Sequence, residues 1–345
     1  MNNLIIIGNG FDLAHGLKTS YWHFINYLFN EELKNKEKFP DLLVISDSNR
    51  VYKSFDDWKK YSRSLDEPFG TDNYFFRKIT NELITNNWCD IETQYFLELL
   101  IVGELSKRID PLYENPEKLN EDFEIVKKYL SEFLKQEQRK FKPISVFKEF
   151  FNSMVQQGDL MILNFNYTDS IKQYLKYVKN ADRIQLVQIH GEIDSNRNPI
   201  IFGYAANNED SRELLGLGNK EYLRNIKKHN YKRTNEENRL KDFLEKGDIE
   251  VSIIGHSCGL SDKLILNQIF NEPNVKTIRP YYYQSYEHHF ETSVNIDRIM
   301  DNDENFKKVV NFEESVIIPQ TEDLKSQELF VSKVEEIIKE KDRQV

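Results

Sequence analysis

Apolar and polar positions along the 345-residue chain fall into three regimes. At the N-terminus Leu4-Ile5-Ile6-Ile7 runs without a polar break into Gly8-Asn9-Gly10. An unbroken run of this length reads as a strand buried on both faces of a parallel sheet, here followed by a tight turn. From about Tyr21 to Met154 the period becomes helical: Phe75, Phe76, Ile79 and Leu83 share one face, as do Phe96, Leu97, Leu100 and Ile101, and then Val126, Tyr129, Leu130 and Phe133. After Met154 short apolar runs return. They are Asp159–Leu163, Arg183–Ile189, Pro199–Phe202, Ile249–Ile254 and Val275–Ile278, and helix-length segments separate several of them. This alternation predicts βαβ units, hence an α/β fold with a mostly parallel sheet flanked by helices and a large helical insertion after the first βα unit.

The expected organisation is a discontinuous sheet domain over residues 1–30 and 151–320, with a helical insertion over 31–150. A basic, polar insertion covers 205–247, and a C-terminal amphipathic helix covers 321–345. In that helix Leu329, Phe330, Val334, Ile337 and Ile338 form an apolar stripe expected to dock on the body or on a second copy of the chain.

Each expected strand closes on glycine or polar residues, and open parallel sheets bind ligands outside the carboxyl ends of their strands. Gly8–Asp12, Asn164–Thr168, His190-Gly191 and Gly255–Ser257 are therefore expected to converge on one crevice. The Gly8-x-Gly10 turn permits close approach of a phosphate to the backbone, although the dinucleotide fingerprint places a third glycine where this chain has Leu13. Asn164 and Asn166 lie on alternate positions of an extended segment, and an amide both donates and accepts, which suits it to orient a water or a ribose hydroxyl. An imidazole at His190 has the pKa range of a general base near neutrality.

Composition narrows the classes. A net charge of −10 argues against nucleic-acid binding over the whole surface, and Cys89 and Cys258 alone cannot build a four-cysteine zinc module or a disulfide framework. No metal is expected. No apolar run is long enough to span a bilayer, and the N-terminal run lacks the basic flank of a signal peptide, so a reducing cytoplasm is the expected compartment.

Three further motifs carry competing readings. Gly255-His256-Ser257-Cys258-Gly259 matches the nucleophile elbow of serine hydrolases, with Asp262 and then His288 or His289 following in the order such a triad requires. The same pentapeptide also reads as a phosphate- or ribose-facing turn. Arg224 to Arg233 holds five Lys and Arg and no acid, so it reads either as a solvated face or as a grip for RNA or DNA. Asp90 and Glu92 read as an N-cap and a favourable first-turn charge, or as substrate-facing carboxylates.

The blocks LIIIGNGFDLAHGLKTSYWHF, WCDIE, LNFNYTDSI, QIHGEID, IFGY and IIGHSCGLSD together resemble the AbiH family of phage abortive-infection proteins. In the same order they are distantly similar to the sirtuin fold. That resemblance implies a Rossmann-like sheet and NAD as substrate. It implies Asn166 and His190 as the catalytic pair, by correspondence with the central asparagine of the sirtuin T-Q-N-x-D motif and with the sirtuin His-Gly. It also implies a nucleotide-contacting set of Gly8, Asn9, Gly10, Phe11, Asp12, Asn164, Thr168, Gly255, His256 and Ser257. Asn164 and Thr168 replace the motif's threonine and aspartate, and Asp12 replaces the first loop's serine. Without a zinc ribbon, cleavage of the nicotinamide–ribose bond is the implied activity and protein deacylation is not. A phage-derived trigger and self-association are the partners such an effector implies.

Overall fold

The computed structural model describes residues 1–45, 52–62, 70–86, 90–103, 113–205 and 208–344. Among these the order is β1 (Asn2–Ile7), α1 (Asn9–Ala14), α2 (Tyr21–Lys34), α3 (Phe55–Ser62), α4 (Tyr74–Asn86), α5 (Ile91–Val102), α6 (Pro116–Glu137), α7 (Ser145–Gln157), β2 (Leu160–Asn164), α8 (Ser170–Leu175), β3 (Ile184–Gln188), α9 (Asn208–Gly216), α10 (Lys227–Asn230), α11 (Glu236–Leu244), β4 (Ile249–Ile254), α12 (Lys263–Phe270), β5 (Val275–Pro280), α13 (Tyr286–Asp297), α14 (Asp303–Phe306) and α15 (Leu324–Gln344). Trp88 and Cys89, which belong to the WCDIE block, lie outside the described residues.

The five strands form one all-parallel sheet in the order β3-β2-β1-β4-β5. Strand order reverses between β1 and β4, which makes the carboxyl ends of these two strands the topological switch point of a Rossmann-like sheet. The reason for the unbroken apolar run at the N-terminus is now explicit. Leu4 and Ile6 face one layer of the core, with Ile265, Ile269 and Phe243, while Ile5 and Ile7 face the other, with Phe147, Phe151 and Tyr174. Alternation vanishes from the sequence because both faces of a central parallel strand are covered.

One expected strand is absent. Pro199–Phe202 makes an isolated bridge from Pro199 to Glu192, and the Ile201 amide donates to the His190 carbonyl at 2.8 Å, but the segment joins no ladder.

The chain divides into two compact units, one of residues 1–17, 137–201 and 231–345 and the other of residues 18–136 and 202–230. The helical unit thus starts at Lys18, ahead of residue 31, and the basic segment is divided at Asn230/Tyr231. In the helical unit Phe75, Phe76, Ile79, Leu83, Val126 and Phe133 are buried as their spacing predicts, but Leu97 is exposed. Asp90 caps α5, accepting from the amides of Glu92 and Thr93 at 3.0 and 3.1 Å. Within the sheet unit the C-terminal stripe docks on the body: Phe330 of α15 packs against Phe147 and Phe150 of α7, and Lys341 pairs with Glu250 of β4. Among the described residues no helix is long and apolar enough to cross a membrane.

Candidate functional site

The four strand ends do meet, and backbone packing starts the convergence. Gly8 is extended and caps α1. A Cβ built on it would lie 2.5 Å from His256 Cα, and one on Gly10 would lie 2.7 Å from Gly255 Cα. Gly255 in turn takes φ +69° and faces the Phe11 amide so closely that its own Cβ would come within 2.2 Å. The turns after β1 and β4 therefore interlock through three glycines, because no other residue allows the two backbones so near. The interlock also engages amides that the sequence offers to a phosphate. Gly8 N–H donates to Ile254 O, Gly10 N–H to Gly255 O at 2.7 Å, and Phe11 N–H to Gly8 O.

The turn after β2 is locked by Asn164. Its Nδ2 donates to Gln188 Oε1 at 2.5 Å, to Asn166 O and to Thr168 O, while its Oδ1 accepts from the Asn166 amide at 3.1 Å. Asn164 is thus the side chain that shapes the Asn-Phe-Asn-Tyr-Thr turn. Asn166 is held across the sheet, with its Nδ2 donating to Gly8 O at 3.0 Å. That bond points the amide's acceptor, Oδ1, away from the tether. Thr168 donates its hydroxyl to Asp12 Oδ2 at 2.7 Å, and Ser170 donates to Thr168. Asp12 is 1% exposed, and its Oδ1 has no hydrogen-bond partner. Burial raises its carboxyl from the ordinary 3.8 to about 6, the nearby Thr168, Ser170 and Asn166 groups opposing the rise.

His190 follows β3 and is 3% exposed. Its Nε2 lies 3.1 Å from Asp262 Oδ1 and 3.1 Å from the Tyr231 hydroxyl. The second oxygen of Asp262 lies 3.3 Å from His256 Nε2. One carboxylate thus joins two imidazoles, one from the turn after β3 and one from the turn after β4. Phe165 sets its ring edge-on to both histidines, at centroid distances of 5.0 and 4.4 Å, and Tyr167 and Tyr231 lie nearly parallel to His190 on planes tilted by 27° and 7°. The arrangement holds two imidazoles and a carboxylate in an aromatic frame beside the Asn166 turn.

Asp262 meets His190 and His256, and not His288 or His289, so the hydrolase triad expected around Ser257 is not assembled. His288 instead accepts from the Tyr283 amide. Ser257 is exposed, and its carbonyl accepts from Asn295. The neighbouring Cys258 is buried at φ +54°, and burial pushes its thiol well above the ordinary range, which makes it inert as a nucleophile. Asp262 and Tyr231 are the site members that sequence reasoning missed as partners of His190. The signal for Asp262, an acid just before an apolar helix, is the same one that marks a helix cap. Tyr231 sits within the basic run and carries no distinguishing pattern. Among the described residues no group of His, Cys, Asp or Glu is arranged to hold a metal ion.

The other polar candidates belong to the helical unit. Glu92 accepts from the Gly203 amide at 2.9 Å and pairs with Lys227 at 3.1 Å, and Lys227 is fully buried. Of the remaining basic run, Arg224 pairs with Glu221. Lys232, in the sheet unit, pairs with Glu237.

Comparison with known proteins gives one family. The family model described as bacteriophage abortive infection AbiH matches residues 4–284. No curated protein matches the chain significantly.

Proposed function

The chain belongs to the AbiH family of bacteriophage abortive-infection proteins, and on that premise we propose that it is an effector that cleaves NAD at the nicotinamide–ribose bond. One observation carries the reading. Asn166 and His190, the two residues that correspond to the asparagine and histidine of sirtuin-like proteins, stand at the carboxyl ends of the adjacent parallel strands β2 and β3, in the sheet whose switch point adjoins them.

In this reading the glycosidic C–N bond breaks and its electron pair leaves with the nicotinamide ring. A water oxygen adds to the ribose C1′, and the water's proton passes to His190, giving nicotinamide and ADP-ribose. Asn166 Oδ1 accepts a hydrogen bond from the attacking water or a ribose hydroxyl and so fixes its approach. His190 acts as general base, a contribution of roughly 10²–10⁴ in rate. The interlocked glycine turns act as a rigid floor. Asn9 and Ser257 are exposed and are the members of the nucleotide-contacting set assigned to its polar groups.

The test uses pure protein incubated with NAD, NADP and ATP, with products read by mass spectrometry, alongside NAD levels in infected cells. Nicotinamide and ADP-ribose are expected from the parent protein. Asn166→Ala and His190→Ala are each expected to preserve the NAD pool while remaining folded. Depletion at the parental rate by either folded variant would falsify the assignment.

A further inference from the structure

Packing alone does not explain Asp12. It lies in the first turn of α1 and is 1% exposed, yet its Oδ1 has no hydrogen-bond partner. A buried carboxylate gives up its hydration, and an unpaired oxygen adds to that cost. An asparagine here would offer Thr168 the same acceptor with no charge to desolvate. The charge is therefore the property to be accounted for.

The surroundings tie Asp12 to Asn166. The turn after β2 is clasped to the start of α1 at two points. Asn166 Nδ2 donates to Gly8 O at 3.0 Å, and two residues on the Thr168 hydroxyl donates to Asp12 Oδ2 at 2.7 Å. Gly8 O also accepts from the Phe11 amide, so both acceptors of the clasp belong to the beginning of one helix. Ser170 Oγ donates to the Thr168 hydroxyl at 3.3 Å, which leaves the Thr168 proton for the carboxylate. Burial and the like charge of Asp169 work against the ionised form of Asp12, and Thr168, Ser170 and the Asn166 amide work for it. With the carboxyl at about 6, the anion prevails at neutral pH. His15, further along α1, is held neutral by burial and cancels none of this charge.

The reaction proposed above gives the charge a use. Breaking a glycosidic bond leaves positive charge on the sugar ring. A carboxylate anchored behind the Asn166 amide, in a desolvated place, opposes that charge with little screening and needs no reorganisation to do so.

We propose that Asp12 is a positioning residue that anchors the Asn166 turn through Thr168, and that its negative charge favours the ribose cation formed as the nicotinamide bond breaks. The proposal rests on the NAD reading above, and its test separates the two.

The experiment compares the full-length parent with two variants near pH 7. Asp12→Asn keeps an acceptor for Thr168 and loses the charge, whereas Asp12→Ala loses both. Three quantities are read: hydrogen exchange at the Asn166 amide, NAD cleavage, and affinity for two ligands. The ligands are ADP-ribose and an ADP-ribose analogue whose terminal sugar is replaced by a protonated pyrrolidine. Exchange at Asn166 is expected to be unchanged in Asp12→Asn and about 10-fold faster in Asp12→Ala. In Asp12→Asn, kcat is expected to fall about 10-fold or more with little change in KM. Affinity for the cationic analogue is expected to fall by a similar factor, while ADP-ribose binds as before. A merely structural Asp12 would weaken both ligands alike. Exchange at Asn166 that Asp12→Ala leaves unchanged overturns the anchor. A kcat or a preference for the cation that Asp12→Asn leaves unchanged overturns the role of the charge. If exchange and cation preference behave as expected but the parent leaves NAD intact, the cleavage reading fails and the Asp12 assignment stands. A parent that binds neither ligand overturns both.

Discussion

Burial drives Asp12 and His15 in opposite directions along the pH axis. Asp12 rises to about 6, while His15 falls from 6.5 to about 4, because both are desolvated and each resists its charged form. Burial holds the His15 ring neutral against the opposing hydrogen bond to Phe11 O at 2.6 Å, and its other nitrogen meets the Tyr174 hydroxyl at 2.5 Å. The consequences for stability have opposite signs. A raised acid favours the folded state below pH 3.8, and that advantage is lost as pH climbs toward 6. A depressed histidine favours the folded state above pH 6.5, and that advantage is lost as pH falls toward 4. Each contribution amounts to roughly 3 kcal/mol, and over the shared window they offset one another. Asp12→Asn removes one side of the balance. Measured by denaturant unfolding at pH 7, 5.5 and 4, the parent should gain about 3 kcal/mol relative to the variant as pH falls. A constant difference across that range would show that the Asp12 carboxyl titrates normally.

At the scale of elements, the sheet was legible and the reason for its glycines was not. Isoleucine-rich runs with polar ends marked β1, β2 and β4 because a doubly covered parallel strand leaves an unmistakable pattern. Pro199–Phe202 carried a similar apolar run, and only its lack of ladder partners separates it from a strand. Gly8 and Gly10 read as a ligand-facing loop, since sequence does not show which second backbone will approach. The neighbour is the turn after β4, with His256 Cα 2.5 Å from where a Gly8 Cβ would stand. His190 and Asn166 were legible as residues that follow strand ends. Asp262 was not, because its true partners come from turns 72 and 6 residues away, a relation that only the sheet order creates. This interlock makes a prediction. Gly8→Ala should force the β4 turn outward and destabilise the protein by about 2 kcal/mol or more, in the range of severe backbone clashes. The His256 contact with Asp262 should loosen with it. If Gly8 serves only to admit a phosphate, the variant will instead keep parental stability and lose only nucleotide affinity.

Across the whole molecule, the distribution of charge bears on whether the basic run can grip a nucleic acid. The net charge is −10, and the basic run at Arg224–Arg233 is the stretch that breaks this trend. Its members are largely committed. Lys227 is buried and pairs with Glu92, which also receives the Gly203 amide, and Arg224 and Lys232 are paired with Glu221 and Glu237. Removing one partner of a buried ion pair leaves the other charge uncompensated, at a cost of about 3–5 kcal/mol. Lys227→Met is therefore expected to lower the unfolding free energy by that order, and Glu92→Gln combined with Lys227→Met should recover part of the loss. Binding of labelled single-stranded DNA or RNA at low salt is expected to be negligible in the parent and unchanged in the double variant. A nucleic-acid grip would give the inverse pattern. Affinity would then be strong at low salt and fall steeply as salt rises, and neutralising Lys227 would lower affinity while leaving the fold untouched.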